Sequence, residues 1–440
     1  MQSFDGVSLV LKKALKLVKP SKAFEKELLE ICNDFLKKVS LAAKSLNINA
    51  SFHIGGSVAK GTFLKTINDV DVFAAFDLSY EDQNISELLE QVLKASKIKY
   101  VKIHGSRDYF QTVFQGLTFE IVPVLRINDW VQARNMTDVS LLHVSWVEKH
   151  LKANPGLADE IRVAKQFCKA CKCYGAESFV KGFSGHLLDI LVIYYKGFKN
   201  LLEASQSWEA FKTIIDPENN FDEYKKVMQR MALTPLIVIE PVHPHRNAAA
   251  ALSLEKFERF KLKAKLFLKN PSLEFFKVKP LTVNSFAEEF NLGDVKVLEL
   301  KVKGLKANPD VSGAKVLKIF EYLAKQLEMH DFKVIAKDWE FSKSKLEALL
   351  LYALPLKQLS ERVVVKGPPV KALKHVDRFK LKHASHDVFE KNGRLFAVVK
   401  RKFTKPEELV AKLIQEEYVR EKCSEIQLQV HVYSPSNSSV

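Results

Sequence analysis

The chain has 440 residues and 50.1 kDa, 47% of them hydrophobic and 27% charged, which gives room for roughly two to four globular domains and excludes disordered, collagen-like and disulfide-scaffold classes. No apolar run approaches the ~18 uncharged residues of a membrane span, and MQSFDGVSLVLKKALKLVKP lacks a secretory apolar core and cleavage site, so a cytoplasmic protein with no membrane partner is expected. Sixty-eight Lys and Arg against 52 Asp and Glu leave a formal charge of +16, which favours a polyanionic partner and says nothing about fold.

Leu28, Cys32, Phe35 and Val39 recur at helical spacing, so 22–46 reads as an amphipathic helix. The segment 51–76 reads as strand, glycine turn, short helix and strand. A helix is predicted over 86–96, then strands near 110–114 and 117–124 joined at Gln115-Gly116. Up to about residue 150 this is one α/β unit. From 157 to 265 the pattern is mostly helical, with a basic stripe of Arg162, Lys165, Lys169 and Lys172 that faces either solvent or phosphates. Ser184 is placed to cap a long apolar helix running through Leu202. The five cysteines, Cys32, Cys168, Cys171, Cys173 and Cys423, are odd in number and few, which fits a reducing compartment. CKACKC (168–173) lacks a second ligand pair at zinc spacing, so these read as ordinary thiols.

Beyond Asn270-Pro271 strands are predicted at 295–302, 332–342 and 393–400, with a helix marked by Val316, Phe320, Leu323 and Leu327. Between Glu361 and Lys405 thirteen basic residues face four acidic ones, interleaved with Phe379, Phe389, Phe396 and Phe403. Basic charge can hold phosphates and aromatic rings can stack on bases, although these phenylalanines read more readily as core.

The residues that carry chemistry lie between 55 and 120. Asp69 and Asp71 are two apart on a predicted strand and therefore share a face. Adjacent carboxylates repel, a divalent cation removes that cost, and oxygen ligands suit Mg²⁺. Gly55-Gly56-Ser57 before a short helix offers N–H groups and a hydroxyl to phosphate oxygens. Glu120 stands alone in the apolar LTFEIVPVL (117–125), where an unpartnered charge is costly to bury. Beside the Asp69/Asp71 strand it would complete a two-metal site for phosphoryl or nucleotidyl transfer. Each piece alone also fits a surface pair or a plain turn; the ordered combination is the specific signal.

GGSVAKGTFLKTINDVDVF resembles the signature of the DNA polymerase β-like nucleotidyltransferase superfamily. TDVSLLHVSWVEKHL (137–151), CYGAESFVKGFSGHLLDIL (173–191), PHRNAAAALSL (244–254), NPSLEFFKVKP (270–280) and KNGRLFAVVKRKFTKPEE (391–408) resemble, in the same order, segments of the archaeal-type (class I) CCA-adding enzymes. The resemblance covers nearly the whole chain. It implies a multi-domain α+β fold: a nucleotidyltransferase head with a mixed sheet (1–150), a helical nucleotide- and tRNA-binding middle domain (151–268) and an α+β tRNA-binding body and tail (269–440).

The same resemblance implies that Asp69, Asp71 and Glu120 bind metal as Mg²⁺, that Ser57 and Lys60 contact the triphosphate, and that Ser140, His143, Lys165 and Tyr174 make further nucleotide contacts. Arg246 would meet the nucleobase edge. His143 also reads as a structural histidine, and Tyr174 as packing under the Gly175 turn. The implied activity is addition of C, C and A to the 3′ end of tRNA from CTP and ATP, and a homodimer is suggested. Two departures stand out: the third carboxylate is usually aspartate, and Val139-Ser140-Leu141 replaces an Arg-Thr-Pro-like tripeptide. A poly(A)-polymerase-like terminal transferase and a non-catalytic RNA-binding relic are the alternatives.

Overall fold

A computed structural model of the chain describes residues 6–67, 69–105, 107–219 and 234–435, in two compact units, 1–278 and 279–440. Part of the helical pattern expected over 157–265 therefore lies outside the described residues. Among those described, no helix is long and apolar enough to cross a membrane.

The first unit begins with α1 (Gly6–Val18) and α2 (Lys22–Ser45), the latter capped by the Ser21 hydroxyl, which accepts from the Phe24 N–H at 3.2 Å. A mixed sheet follows, built from β1 (Ala50–Ile54), β2 (Asp69–Phe76), β3 (Val101–Ile103), β4 (Tyr109–Phe114) and β5 (Leu117–Leu125) in the order β1-β2-β5-β4-β3. Only β2 and β5 run parallel in it. The β4–β5 hairpin closes at Gln115 (φ 47°) and Gly116 (φ 83°), the paired positive angles that two-residue hairpins need. The apolar stripe of α2 buries Leu28, Cys32, Phe35 and Val39 against this sheet, with Phe35 stacked on Phe119 at 4.2 Å between ring centroids. Truncating Phe35 to Ala would cost about 3–5 kcal/mol of stability. The one-turn α3 (Gly56–Ala59) lies between β1 and β2, and α4 (Ile85–Ala95) between β2 and β3.

Next come α5 (Ser140–Ala153), α6 (Gly156–Ala170), α7 (Gly185–Tyr194), α8 (Phe198–Ala204), a short parallel pair β6 (Ile214–Ile215) and β7 (Ile237–Val238), and α9 (Leu254–Lys269). They share one core with α1, centred on Phe167, Phe198, Phe260 and Phe267. Ser184 does cap α7, accepting from the Leu187 N–H at 3.0 Å, but the expected helix through Leu202 is broken in two. Lys196 (φ 58°) and Gly197 (φ 141°) turn the chain before α8, so the apolar run is longer than either helix. All five cysteines are buried free thiols.

The second unit contains α10 (Val283–Glu289), β8 (Val295–Gly304), α11 (Pro309–Met329), β9 (Ala336–Ser342) and β10 (Glu347–Pro355). It continues with β11 (Arg362–Pro369), α12 (Leu373–Lys382), β12 (Asp387–Lys391), β13 (Arg394–Lys400), α13 (Pro406–Leu413), α14 (Glu417–Arg420) and β14 (Cys423–Tyr433). An antiparallel sheet β14-β8-β10-β9 is covered on both faces along much of its central strands β8 and β10, while the edge strand β14 is largely exposed. Leu298, Leu300, Val302, Leu350 and Tyr352 meet α11 and α13, while Val295, Val297, Leu351 and Ala353 meet Phe286 of α10. A second sheet, β11-β13-β12, is partnered by α12. The basic stretch 361–405 maps onto this sheet and helix. Its phenylalanines divide: Phe403 packs half-buried against the core of the larger sheet, Phe379 and Phe396 are half-buried, and Phe389, 40% exposed, stacks on Phe396 at 5.6 Å.

Candidate active site

Strand alternation sorts β2 into two faces. Val70 and Val72 are fully buried on one, while Asp69 and Asp71 rise on the other, Asp69 exposed and Asp71 half-buried. In the parallel pairing Asp71 stands opposite Glu120 of β5, itself between buried Phe119 and Ile121. Three carboxylates from adjacent strands thus reach the same side of the sheet. On β4, Gln111 is the cross-strand partner of Glu120, and its Nε2 donates to Glu120 Oε2 at 3.2 Å. Burial first, then the charges of Glu120 and Asp69, push the Asp71 carboxyl up to about 6, against the opposing pull of Lys60 and Lys165. Carboxylates this costly to ionise together are a fitting donor set for a hard divalent cation.

The glycine turn is shaped by Asp71. Gly55 N–H donates to the Asp71 carbonyl at 2.8 Å. Gly56 has φ +54°, and a Cβ there would lie 1.7 Å from Asp71 Oδ2. Only glycine lets this backbone cross so close to the carboxylate. Ser57 follows at once, and its carbonyl accepts from Thr62 N–H at 2.9 Å, which folds the loop back onto the helix.

Behind the carboxylates sits a buried ionic cluster. Lys60 Nζ lies 2.9 Å from Asp189 Oδ2 on α7, and Lys165 Nζ, from α6, lies 3.4 Å from Asp189 Oδ1 and donates to Thr62 Oγ1 at 2.8 Å. Burial pushes the Asp189 carboxyl up, but Lys165, Lys60 and His186 outweigh it and leave it below the usual range. The basic stripe of α6 is therefore divided between tasks: Arg162 and Lys165 are both buried against the loop before β2, and Lys165 also reaches Asp189. Arg162 is buried, donates to the carbonyls of Phe63 (3.0 Å) and Gly61 (2.6 Å) and pairs with Asp159 (2.6 Å), so it straps the loop before β2 to the helix. Tyr174 is half-buried nearby: a Cβ at Gly185 would lie 3.2 Å from its Oη and 3.8 Å from Lys165 Cε. Burial raises the Tyr174 phenol, with Asp189 adding to the effect.

Ser140 and His143 lie one turn apart on α5. Their helix is fixed by Asp138, which is fully buried, accepts from the N–H groups of Leu125 (2.8 Å), Asn135 (2.9 Å) and Arg134 (3.0 Å), and pairs with Arg107. His143 Nε2 is 3.3 Å from Glu240 Oε1, and His186 Nε2 is 3.1 Å from the same oxygen, with the two imidazoles stacked at 4.5 Å. Ligand atoms of these three residues lie within 4.8 Å of one another. Burial pushes the Glu240 carboxyl up, yet the two histidines hold it well below the usual range; burial chiefly lowers His186 to about 4. Arg246 is exposed, and its carbonyl accepts from Glu240 N–H at 3.1 Å, so backbone alone ties it to the histidine cluster. Asn247 beside it locks the loop, accepting from Val238 and Ala249 N–H (both 2.9 Å) and donating to Thr234 Oγ1 at 2.8 Å.

The structure thus gathers Asp69, Asp71, Glu120, Lys60, Lys165 and Tyr174 into one region, puts Ser57 at its glycine turn, and gives His143 a carboxylate partner. Sequence reasoning missed Asp189, Glu240, His186, Asp138 and Gln111. Asp189 carried a readable signal: it is the only acidic residue in GHLLDILVIY, the same anomaly that marks Glu120.

Family models described as "Nucleotidyltransferase domain", "tRNA nucleotidyltransferase, second domain" and "CCA-adding enzyme, C-terminal domain" match residues 36–134, 159–277 and 297–425. A CCA-adding enzyme of Nanoarchaeum equitans is 35% identical over 360 residues, covering 80% of this chain and 84% of that protein. Those of Pyrobaculum aerophilum (30%, 90% of each) and Methanosarcina mazei (29%, 92% and 89%) are similar along most of their lengths. Among solved structures, a mutant Cid1 poly(U) polymerase bound to MgATP superimposes with a TM-score of 0.51 at 12% identity, over 63% of this chain and 100% of that one. The head has the fold of the polymerase-β-like nucleotidyltransferases.

Proposed function

Because the chain belongs to the CCA-adding family of tRNA nucleotidyltransferases, we propose that it adds C, C and A to tRNA from CTP and ATP by two-metal nucleotidyl transfer. The observation that carries the mechanism is the pairing of Asp71 with Glu120 across β2 and β5, with Asp69 on the same face and two lysines behind. Two Mg²⁺ ions held by Asp69, Asp71 and Glu120 would activate the attacking 3′-hydroxyl and neutralise charge on the leaving pyrophosphate.

The protein's own groups do the rest. Lys60 and Lys165 bring positive charge to the triphosphate, and the Ser57 hydroxyl and the glycine-turn N–H groups supply donors to phosphate oxygens. Ser140, His143 and Tyr174 contact the nucleotide. Arg246, tied by its backbone to Glu240, offers its guanidinium fork to acceptors on the base. In this reading residues 1–150 are the catalytic head, 151–268 the nucleotide- and tRNA-binding middle, and 269–440 the part that grips the tRNA acceptor arm, by shape and backbone. The protein acts in the cytoplasm, as a homodimer.

Incubation with Mg²⁺, one labelled nucleotide at a time, and tRNA lacking CCA tests this. Incorporation of C first, and of A only after C, supports it. An open-ended A tail would favour a poly(A)-polymerase-like enzyme, and tRNA binding without growth a relic.

A further inference from the structure

Lys60, Lys165 and Asp189 come from three separate elements, and their side chains are 7%, 5% and 1% exposed. Burying three charges costs far more than filling the same space with apolar side chains, so a purely architectural reading leaves the choice of residues unexplained. The stoichiometry is also wrong for a strut, with two ammonium groups on one carboxylate and one positive charge in surplus. That surplus acts on Asp71, since both lysines pull its carboxyl back toward the ionised form.

Donor accounting points the same way. Lys165 Nζ is committed to Asp189 Oδ1, Thr62 Oγ1 and the Thr62 carbonyl (3.4 Å). Lys60 Nζ, among the described residues, donates to Asp189 Oδ2 alone, which leaves two of its three N–H donors for a ligand. Burial and the neighbouring Lys60 both push the Lys165 ammonium down, and Asp189 opposes them.

We propose that Asp189 is the positioning residue that holds Lys60 and Lys165 together as a fixed cationic pair for the phosphate chain of an incoming nucleoside triphosphate. Asp189 touches no substrate atom. It acts through the lysines, pinning Lys60 from behind so that its remaining donors face the carboxylate side, and offsetting the repulsion between two ammonium groups in a dry site. This rests on the nucleotidyl-transfer reading and adds to it a residue on α7.

Calorimetric titration of the full-length protein with MgCTP, MgATP and magnesium tripolyphosphate tests it without requiring turnover. In Asp189→Asn all three should bind at least ~10-fold more weakly and by a similar factor, because the loss is at the phosphates. In the tRNA assay KM for both nucleotides should rise while kcat changes by less than ~3-fold, tRNA affinity is kept, and Asp189→Glu recovers part of the loss. Wild-type affinity in a folded Asp189→Asn overturns the proposal, as does a wild-type protein that binds none of the three probes. Failure of the wild-type protein to extend tRNA would sink the CCA-adding reading alone, since the titrations still decide the role of Asp189. If Asp189→Asn does not fold, Asp189→Asn/Lys165→Met is compared with Lys165→Met: a further loss of ~3-fold or more through Lys60 is expected, and equal affinities overturn the proposal.

Discussion

The chain carries its positive charge in two physically different ways. Around Asp71, Lys60 and Lys165 are buried, few, and each held by a named partner within 3.4 Å. On β11, α12, β12 and the turn between the first two, by contrast, Lys366, Lys371, Lys374, Lys380, Lys382 and Lys391 are all exposed. Buried, oriented charges interact strongly, are little screened by salt, and act through geometry. Exposed ones act as a summed field that salt titrates away. The first arrangement suits chemistry at a phosphorus atom and the second suits holding a polyanion, so damage to one region should leave the other's readout nearly intact.

The largest effect should come from Asp71→Asn, which removes one charge at nearly constant shape. Addition of both C and A should fall by roughly a thousandfold or more, with tRNA affinity changed by less than about twofold. Single-turnover extension and filter binding read the two halves separately; normal turnover would remove Asp71 from the metal site. Glu120→Gln should be similarly inactive. Glu120→Asp shortens the arm by one methylene, ~1.5 Å, and draws the carboxylate back from Gln111 Nε2. It should lose activity by tens of fold and recover partly in Mn²⁺, the expected sign for a site built around glutamate.

The exposed region gives a smaller effect of a different kind. Affinity for tRNA should fall about tenfold or more between 50 and 200 mM salt. Arg401 belongs to the basic stretch but is ion-paired with Asp331. The informative variant is therefore Lys380→Ala/Lys382→Ala on α12, which should flatten the salt slope and leave nucleotide KM alone. An unchanged slope would make these residues a solvated face.

The smallest effect concerns stability. The Asp71 carboxyl titrates near 6 in the fold against 3.8 ordinarily. The folded protein binds this proton more tightly than the unfolded chain, so stability falls as pH rises from about 4 to about 6. The loss is on the order of 3 kcal/mol for this group. Thermal melts in EDTA should show it as a pH-dependent difference between wild type and Asp71→Asn, and Mg²⁺ should reduce it near pH 6.

Sequence reading succeeded where one residue carried the whole signal. Two carboxylates at strand spacing, a lone glutamate in an apolar strand and a double glycine ahead of them were sufficient to place Asp69, Asp71 and Glu120 on one side of the sheet beside the turn. It failed where a cluster is assembled from residues far apart in the chain. His143 and Glu240 are 97 positions apart, and nothing local in EPVHPHRN says that its glutamate will collect two imidazoles. In the α6 stripe helical spacing sorts residues by face but does not say which face is covered: Arg162 is buried against the carbonyls of Gly61 and Phe63. In the second unit β10 was overlooked because LLLYAL is buried on both sides, which erases the alternation that marks a strand. Gly197 ended a helix that the apolar pattern alone would have continued.

The central claim is that the carboxylates of β2 and β5 run a nucleotidyl transfer that stops at C-C-A. Its most direct test is to incubate wild type and Asp71→Asn with tRNA lacking the last three nucleotides, all four nucleoside triphosphates and Mg²⁺, and to sequence the 3′ ends. Wild type should give ends that read C-C-A and go no further, and Asp71→Asn should leave the substrate unextended. Ends of mixed or unlimited sequence from wild type, or C-C-A from Asp71→Asn, would contradict the account.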